Sequence, residues 1–175
     1  MKKLLVIVDM QNDFVTGALG SEQALQIVPK IKARIQEYRD SGNTIIYTQD
    51  THQENYLETM EGKYLPVEHC IKGTFGWEIV PELIGEGVVF EKPTFGSLEL
   101  TKEIASWGYD EIEFVGTCTA ICVASNALIL KAQLPETRII VDASCCACVN
   151  EESHNAALLT MQMCQIDILN WRNDK

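Results

Sequence analysis

The sequence predicts a three-layer α/β/α fold with a six-stranded, mostly parallel sheet, and three observations carry that prediction. Short runs rich in Val, Ile and Leu alternate with segments of helical period along the chain. The runs are apolar throughout rather than at every second position, as in strands covered on both faces. The segments between them are long enough to be crossover helices, which join parallel strands in a right-handed sense.

Taken in order, the strand candidates are KLLVIVD (3–9), NTIIYTQD (43–50), GVVFEK (87–92), EIEFVG (111–116), RIIVDAS (138–144) and IDIL (166–169). The first helix is expected to open at Pro29, a residue favoured at the first helical position, and to stop at Gly42. It would show Ile31, Ile35 and Tyr38 on one face. Further helices are expected over Leu98–Trp107, Thr119–Gln133 and Glu151–Cys164. Only residues 49–87 break the rhythm, and irregular segments of that length in compact domains are usually functional.

The chain has 175 residues, 46% of them hydrophobic, enough for one domain spanning 1–175. A net charge of -11 argues against nucleic acid or an anionic membrane surface as partner. No apolar run approaches the roughly 18 residues of a membrane span, and Asp9 interrupts the first run too early for a signal-peptide core. A cytoplasmic protein is expected. The seven cysteines, an odd number, suit reduced thiols better than a disulfide framework.

In open α/β sheets, ligands bind beyond the carboxyl ends of the strands, near the switch in strand order. Those ends are polar here. The first strand ends in Asp9, the second in Asp50 followed by His52, the third in Lys92, and the fourth in Gly116-Thr117-Cys118 leading to Cys122. If a helix begins near Thr119 or Ala120, Cys122 lies in its first turn, where unpaired N–H groups and the dipole favour a thiolate. Lys92 would lower its pKa further, and Asp9 could move the proton. A lone buried cysteine is usually just a small hydrophobe, but the matching strand ends favour the chemical reading. Cys118 sits at the strand-to-helix bend, where its backbone N–H, paired with that of Cys122, is expected to form an oxyanion hole and its side chain to pack.

The irregular segment carries Asp50, His52, Glu61 and His69, a carboxylate and imidazole set suited to Zn, Mn or Fe. Glu58 rivals Glu61 for the second carboxylate. In SCCACVNEESH, Cys145, Cys146, Cys148 and His154 have no usual zinc spacing, and Cys145 and Cys146 should point to opposite faces of a strand, so packing is the better reading. Gly17 and Gly20 do not form a dinucleotide fingerprint.

Taken together, VDMQNDF, DTH…LPVEHCIKGT, FEKPTFGS and GTCTAICV resemble the isochorismatase-like cysteine hydrolases, and within them the nicotinamidase branch. The resemblance covers nearly the whole chain. It implies a Rossmann-like six-stranded parallel sheet and an Asp, Lys and Cys triad on Asp9, Lys92 and Cys122, with a cis peptide before Cys118. It also implies a metal site on Asp50, His52 and His69, with Glu61 in a place many members give to a further histidine. The implied activity is hydrolysis of nicotinamide to nicotinate and ammonia through a cysteine thioester, a step of NAD salvage. The implied cofactor is a divalent ion, Zn first, with Mn or Fe as alternatives. A small-molecule amide and further copies of the chain, as a homo-oligomer, are the expected partners.

Two departures stand out. Ala120 occupies the place where the family pattern Thr-Asp-x-Cys has aspartate, which tunes the turn without touching the triad. Leu65 stands where many relatives have an aromatic, leaving Phe14 and Phe95 to stack on a planar substrate beside it. The rival readings are a related cysteine hydrolase acting on another small amide and, further off, a catalytically silent binding protein.

Overall fold

The computed structural model describes residues 1–171; the domain expected over 1–175 includes 172–175, which lie outside the described residues. Six parallel strands form one sheet: β1 (Lys3–Val8), β2 (Thr44–Asp50), β3 (Val88–Lys92), β4 (Glu111–Thr117), β5 (Arg138–Ala147) and β6 (Asp167–Leu169). Their spatial order is β3-β2-β1-β4-β5-β6, so the order reverses at β1. β1 pairs with β2 on one side and β4 on the other, and the crevice between their carboxyl ends is where the polar strand ends meet.

The helices are α1 (Asn12–Val15), α2 (Glu22–Asp40), α3 (Met60–Tyr64), α4 (Leu98–Trp107), α5 (Ala124–Gln133) and α6 (Glu151–Met163). α2 packs on one face, where Ala24, Ile27, Ile31 and Ile35 meet Leu5, Ile7, Ile45 and Val115. On the other face Leu100, Ile104, Leu130, Leu158 and Met161 meet Leu4, Val6, Phe114 and Val141. Alternate residues of β1 thus feed opposite cores, which is why the strand reads as apolar throughout.

The first long helix corrects an expectation. It starts at Glu22, not Pro29, because Ser21 caps it by accepting the Ala24 N–H at 3.1 Å. Pro29 lies about two turns inside, where its missing N–H leaves one helical bond unmade. The buried face of α2 outweighs that loss. α2 is also pinned by Glu113, wholly buried at the middle of β4, which accepts from Arg34 at 2.7 and 2.5 Å and from the Tyr38 hydroxyl at 2.8 Å. Such a carboxylate is tolerated only with partners of this kind.

Gly116 explains how β4 approaches β1 so closely. With φ at +122°, a Cβ there would stand 2.2 Å from the Val8 carbonyl oxygen, so glycine alone fits. No helix among the described residues is long and apolar enough to cross a membrane.

Candidate active site

Asp9 follows β1 with φ at 50°, a left-handed conformation aspartate tolerates better than branched residues. Its Oδ1 accepts from the Thr48 hydroxyl at 2.6 Å, and its Oδ2 lies 2.6 Å from Lys92 Nζ. That ion contact is Oδ2's one neighbour of opposite charge, and it has no well-directed hydrogen bond. Lys92, at the end of β3, also reaches Asp50 Oδ1 at 3.2 Å and Cys122 Sγ at 3.5 Å. Asp9 and Lys92 are fully buried, and Cys122 is 5% exposed.

Cys122 lies in a π-helical turn, Thr119–Val123, that runs directly into α5. The peptide bond between Thr117 and Cys118 is cis, as the resemblance implies. Asn126 fixes the turn from below, donating to the Cys122 carbonyl at 2.8 Å and the Phe95 carbonyl at 3.0 Å.

The charge state differs from the sequence expectation. Burial, with the Asp9 charge, pushes the Cys122 thiol well above its ordinary pKa, and Lys92 only partly opposes this. Burial also raises Asp9 despite Lys92, while Lys92 stays firmly protonated because Asp9, Cys122 and Asp50 outweigh its own desolvation. The sulfur is therefore hard to ionise unaided, and Asp9, 2.6 Å from the protonated Lys92, is the group placed to take its proton.

A second cluster adjoins the first. Asp50, His52, Glu61 and His69 each present one ligand atom, and all four atoms lie within 4.8 Å of one another. His52 Nε2 lies 3.0 Å from Asp50 Oδ2 and 3.6 Å from Glu61 Oε1, and His69 Nε2 lies 3.8 and 3.7 Å from the same oxygens. Ligands about 2.0–2.2 Å from a tetrahedral ion stand roughly 3.3–3.6 Å apart, so the donor set fits one. The tautomer fits too. His69 Nδ1 is 2.8 Å from the Val67 carbonyl, which makes it the protonated nitrogen and leaves Nε2 a free lone pair.

The electrostatics of the cluster call for a cation. Burial and the Asp50 charge raise Glu61, whereas Asp50 stays below the carboxylate range because hydrogen bonding to His52 and the charge of Lys92 overcome its desolvation. Two carboxylates and one Lys92 thus crowd a buried point that a divalent ion would neutralise. Tyr56 walls this cluster, its ring 4.7 Å from that of His52 and 5.0 Å from that of His69. Glu58 is exposed and lies outside the group, so the geometry favours Glu61 over its rival.

Both clusters open on one cavity of about 470 Å³, whose lining includes Cys122, Asp50, Glu61, His69 and the three candidate substrate residues Phe14, Leu65 and Phe95. The ends of β2 and β4 contribute Asp50 and Thr117 to it. A family model described as Isochorismatase domain matches residues 3–172.

The chain belongs to the isochorismatase family. An uncharacterised isochorismatase family protein of Bacillus subtilis named PncA is 31% identical, with 90% of this chain and 93% of that one covered. The nicotinamidase of Schizosaccharomyces pombe is 27% identical, with 94% and 91% covered. Among solved structures, the pyrazinamidase of Pyrococcus horikoshii in complex with zinc superposes with a TM-score of 0.84 at 27% identity, covering 98% of this chain and all of that one.

This isochorismatase-family site also uses residues the sequence did not single out. Gln11 ties β1 to β2 by donating to the Asp50 carbonyl and accepting the Asp50 N–H, both at 2.8 Å. Asp13 Oδ2 accepts the Cys70 N–H at 2.8 Å, securing the backbone next to His69. Gln11, Asp13 and Thr48 lie within or beside motifs already read as significant, but nothing local marks them as supports. The residues of SCCACVNEESH do not converge on a metal. Cys145 and Cys146 enter opposite cores, His154 Nδ1 lies 2.9 Å from the Thr119 hydroxyl, and Cys148 turns to Cys118. The Cys118 sulfur meets another thiol at the cavity wall.

Proposed function

We propose that the chain is a metal-dependent cysteine amidase that hydrolyses nicotinamide to nicotinate and ammonia, a step of NAD salvage. The observation that carries this reading is the contact of Asp9, Lys92 and Cys122 at the wall of a cavity shared with four metal-type donors. Nicotinamide is a flat ring with one ring nitrogen and one carboxamide, and the cavity offers a cation site beside a nucleophile within a lining that includes Phe14, Leu65 and Phe95. Asp50, His52, Glu61 and His69 would hold the ion, which, when bound, supplies a Lewis-acidic anchor for the ring nitrogen. Zn suits this donor set best, and Mn and Fe share its ligand preferences. The free thiols of all seven cysteines suit a reducing, cytoplasmic setting.

The remaining steps fall to protein groups. Asp9 takes the Cys122 proton as the sulfur attacks the carboxamide carbon, and Lys92 stays in contact with both as the charge moves from oxygen to sulfur. The N–H groups of Cys118 and Cys122 receive the oxyanion. Asp9 protonates the amide nitrogen so that it leaves as ammonia, then takes a proton from the water that opens the thioester, and returns that proton to the departing Cys122 sulfur, which restores the thiol and the carboxylate. The fully buried Asp9, held in place by Thr48, is suited to each transfer.

Ammonia release from nicotinamide, measured against a panel of other small amides, tests the substrate assignment. Nicotinamide should give the highest kcat/KM. A preference of tenfold or more for a non-aromatic amide would instead assign the chain to a related hydrolase of the same family.

A further inference from the structure

Cys118 and Cys148 face each other beside the nucleophile turn. The β4–β5 ladder pairs Gly116 with Cys146 and Thr117 with Ala147, so one further step sets Cys118 opposite Cys148. Adjacent strands stand about 4.8 Å apart, within the roughly 4.4–6.8 Å Cα separation of disulfides. The two sulfurs lie 3.0 Å apart, and both cysteines are free thiols.

We propose that Cys118 and Cys148 are a peroxide-oxidisable pair whose reversible disulfide switches the hydrolytic site off. The pair is asymmetric. The hydrogen-bonded contact with Cys118 and the backbone N–H groups of Ala120, Val149 and Asn150 hold Cys148 below the ordinary thiol range, while Cys118 is raised. Cys148 also lines two cavities where Cys118 lines one, which makes Cys148 the attacking sulfur and Cys118 the resolving one.

Access comes from two sides. Cys148 lines both the substrate cavity and a second cleft of about 320 Å³ between α2 and α6, whose lining includes Gln26, Ser144 and His154. Burial raises Cys70, Cys145 and Cys146, so the other buried thiols of the described core are poor competitors.

In the first step the Cys148 thiolate attacks one oxygen of hydrogen peroxide. An S–O bond forms, the O–O bond breaks, and the sulfur is oxidised by two electrons to the sulfenic acid as hydroxide departs. In the second step the Cys118 sulfur attacks the sulfenyl sulfur. The S–S bond forms, the S–O bond breaks, and the departing hydroxide takes the Cys118 proton. The sum is two thiols and one peroxide giving one disulfide and two waters. A thiol reductant reverses it by exchange.

The effect on turnover rests on the amidase reading, in which the Cys118 N–H receives the oxyanion. A disulfide bond of about 2.05 Å draws the sulfurs together by about 1 Å, and misplacement on that scale costs on the order of a hundredfold in rate.

The test exposes the reduced full chain to hydrogen peroxide, blocks remaining thiols with N-ethylmaleimide, and maps cross-links by mass after non-reducing digestion. The expected result is a Cys118–Cys148 linkage two hydrogens lighter than the separate peptides, with ammonia release down tenfold or more and restored by dithiothreitol. Cys148→Ser, compared with its own reduced form, should form no linkage and keep its activity through the same exposure. Mapping scores the linkage whatever the chain hydrolyses, so failure of the amidase reading leaves that arm intact. Oxidation of Cys122 without a Cys118–Cys148 linkage overturns the proposal. A complete linkage with undiminished ammonia release overturns the switch, and so does equal, dithiothreitol-reversible loss in Cys148→Ser.

Discussion

Replacing Cys122 by alanine should lower turnover about 10⁴-fold or more while leaving the fold in place. The size follows from the role: the sulfur is the atom that takes the acyl group, and losses of a nucleophile are commonly of that order. Stability should change little, because the side chain is small and the cavity left is about the size of one atom group, about 1 kcal/mol or less. Asp9→Asn should fall by about 10³-fold or more, since the amide keeps the shape of the carboxylate but cannot accept the thiol proton. Steady-state rates and a urea unfolding curve for each variant give the two numbers needed. Turnover within tenfold of the unmodified chain in either variant would contradict the triad.

The second large effect concerns the cation site. His52→Ala and Glu61→Ala should each lose the ion on dialysis, as read by metal content, while Glu58→Ala should keep it. Loss of an outer-shell partner of a ligand costs about 10–100-fold in affinity, and loss of a ligand itself should exceed that. The direction with pH follows from the cluster. Hydrogen bonding to Asp50 raises His52 despite its desolvation, and burial raises Glu61. Both must give up protons to bind, so affinity rises with pH through their range and falls in acid. Chelation should weaken substrate binding and alignment more than it affects the reactivity of Cys122 toward iodoacetamide. An emptied site in Glu58→Ala alone, or full activity on nicotinamide after exhaustive chelation, would remove the assignment.

Much of this site could be read from the chain because of topology. In a parallel sheet the carboxyl ends of strands share one edge, so polar residues closing otherwise apolar runs had to come together; Asp9, Asp50, Lys92 and the turn after β4 do so. The strand boundaries followed from the same pattern to within a few residues. The first long helix did not, because proline is permitted at a first turn but does not require one; the Ser21 cap decided the start, and the apolar spacing from Ala24 to Tyr38 tolerated Pro29.

What remained illegible was non-local. Glu113 reads as a charge inside a strand, and only the packing of α2 brings Arg34 and Tyr38 to it. The ionisation of Cys122 depends on burial by elements remote in sequence, so a lowered pKa inferred from its helix start and Lys92 alone had the wrong sign. Cys118 and Cys148 meet because of the β4–β5 register. Neither their spacing of thirty residues nor the surrounding composition encodes that contact.

The central claim is that Cys122 carries the acyl group in a thioester, and partition with hydroxylamine tests it most directly. Metal-loaded, reduced protein is given nicotinamide in the presence of increasing hydroxylamine, and nicotinate, hydroxamate and ammonia are measured together. A thioester that either nucleophile can open predicts a hydroxamate-to-nicotinate ratio that rises linearly with hydroxylamine, and no product of either kind from Cys122→Ala. Nicotinate formed at its full rate with no hydroxamate, or hydroxamate produced equally well by Cys122→Ala, would contradict the account.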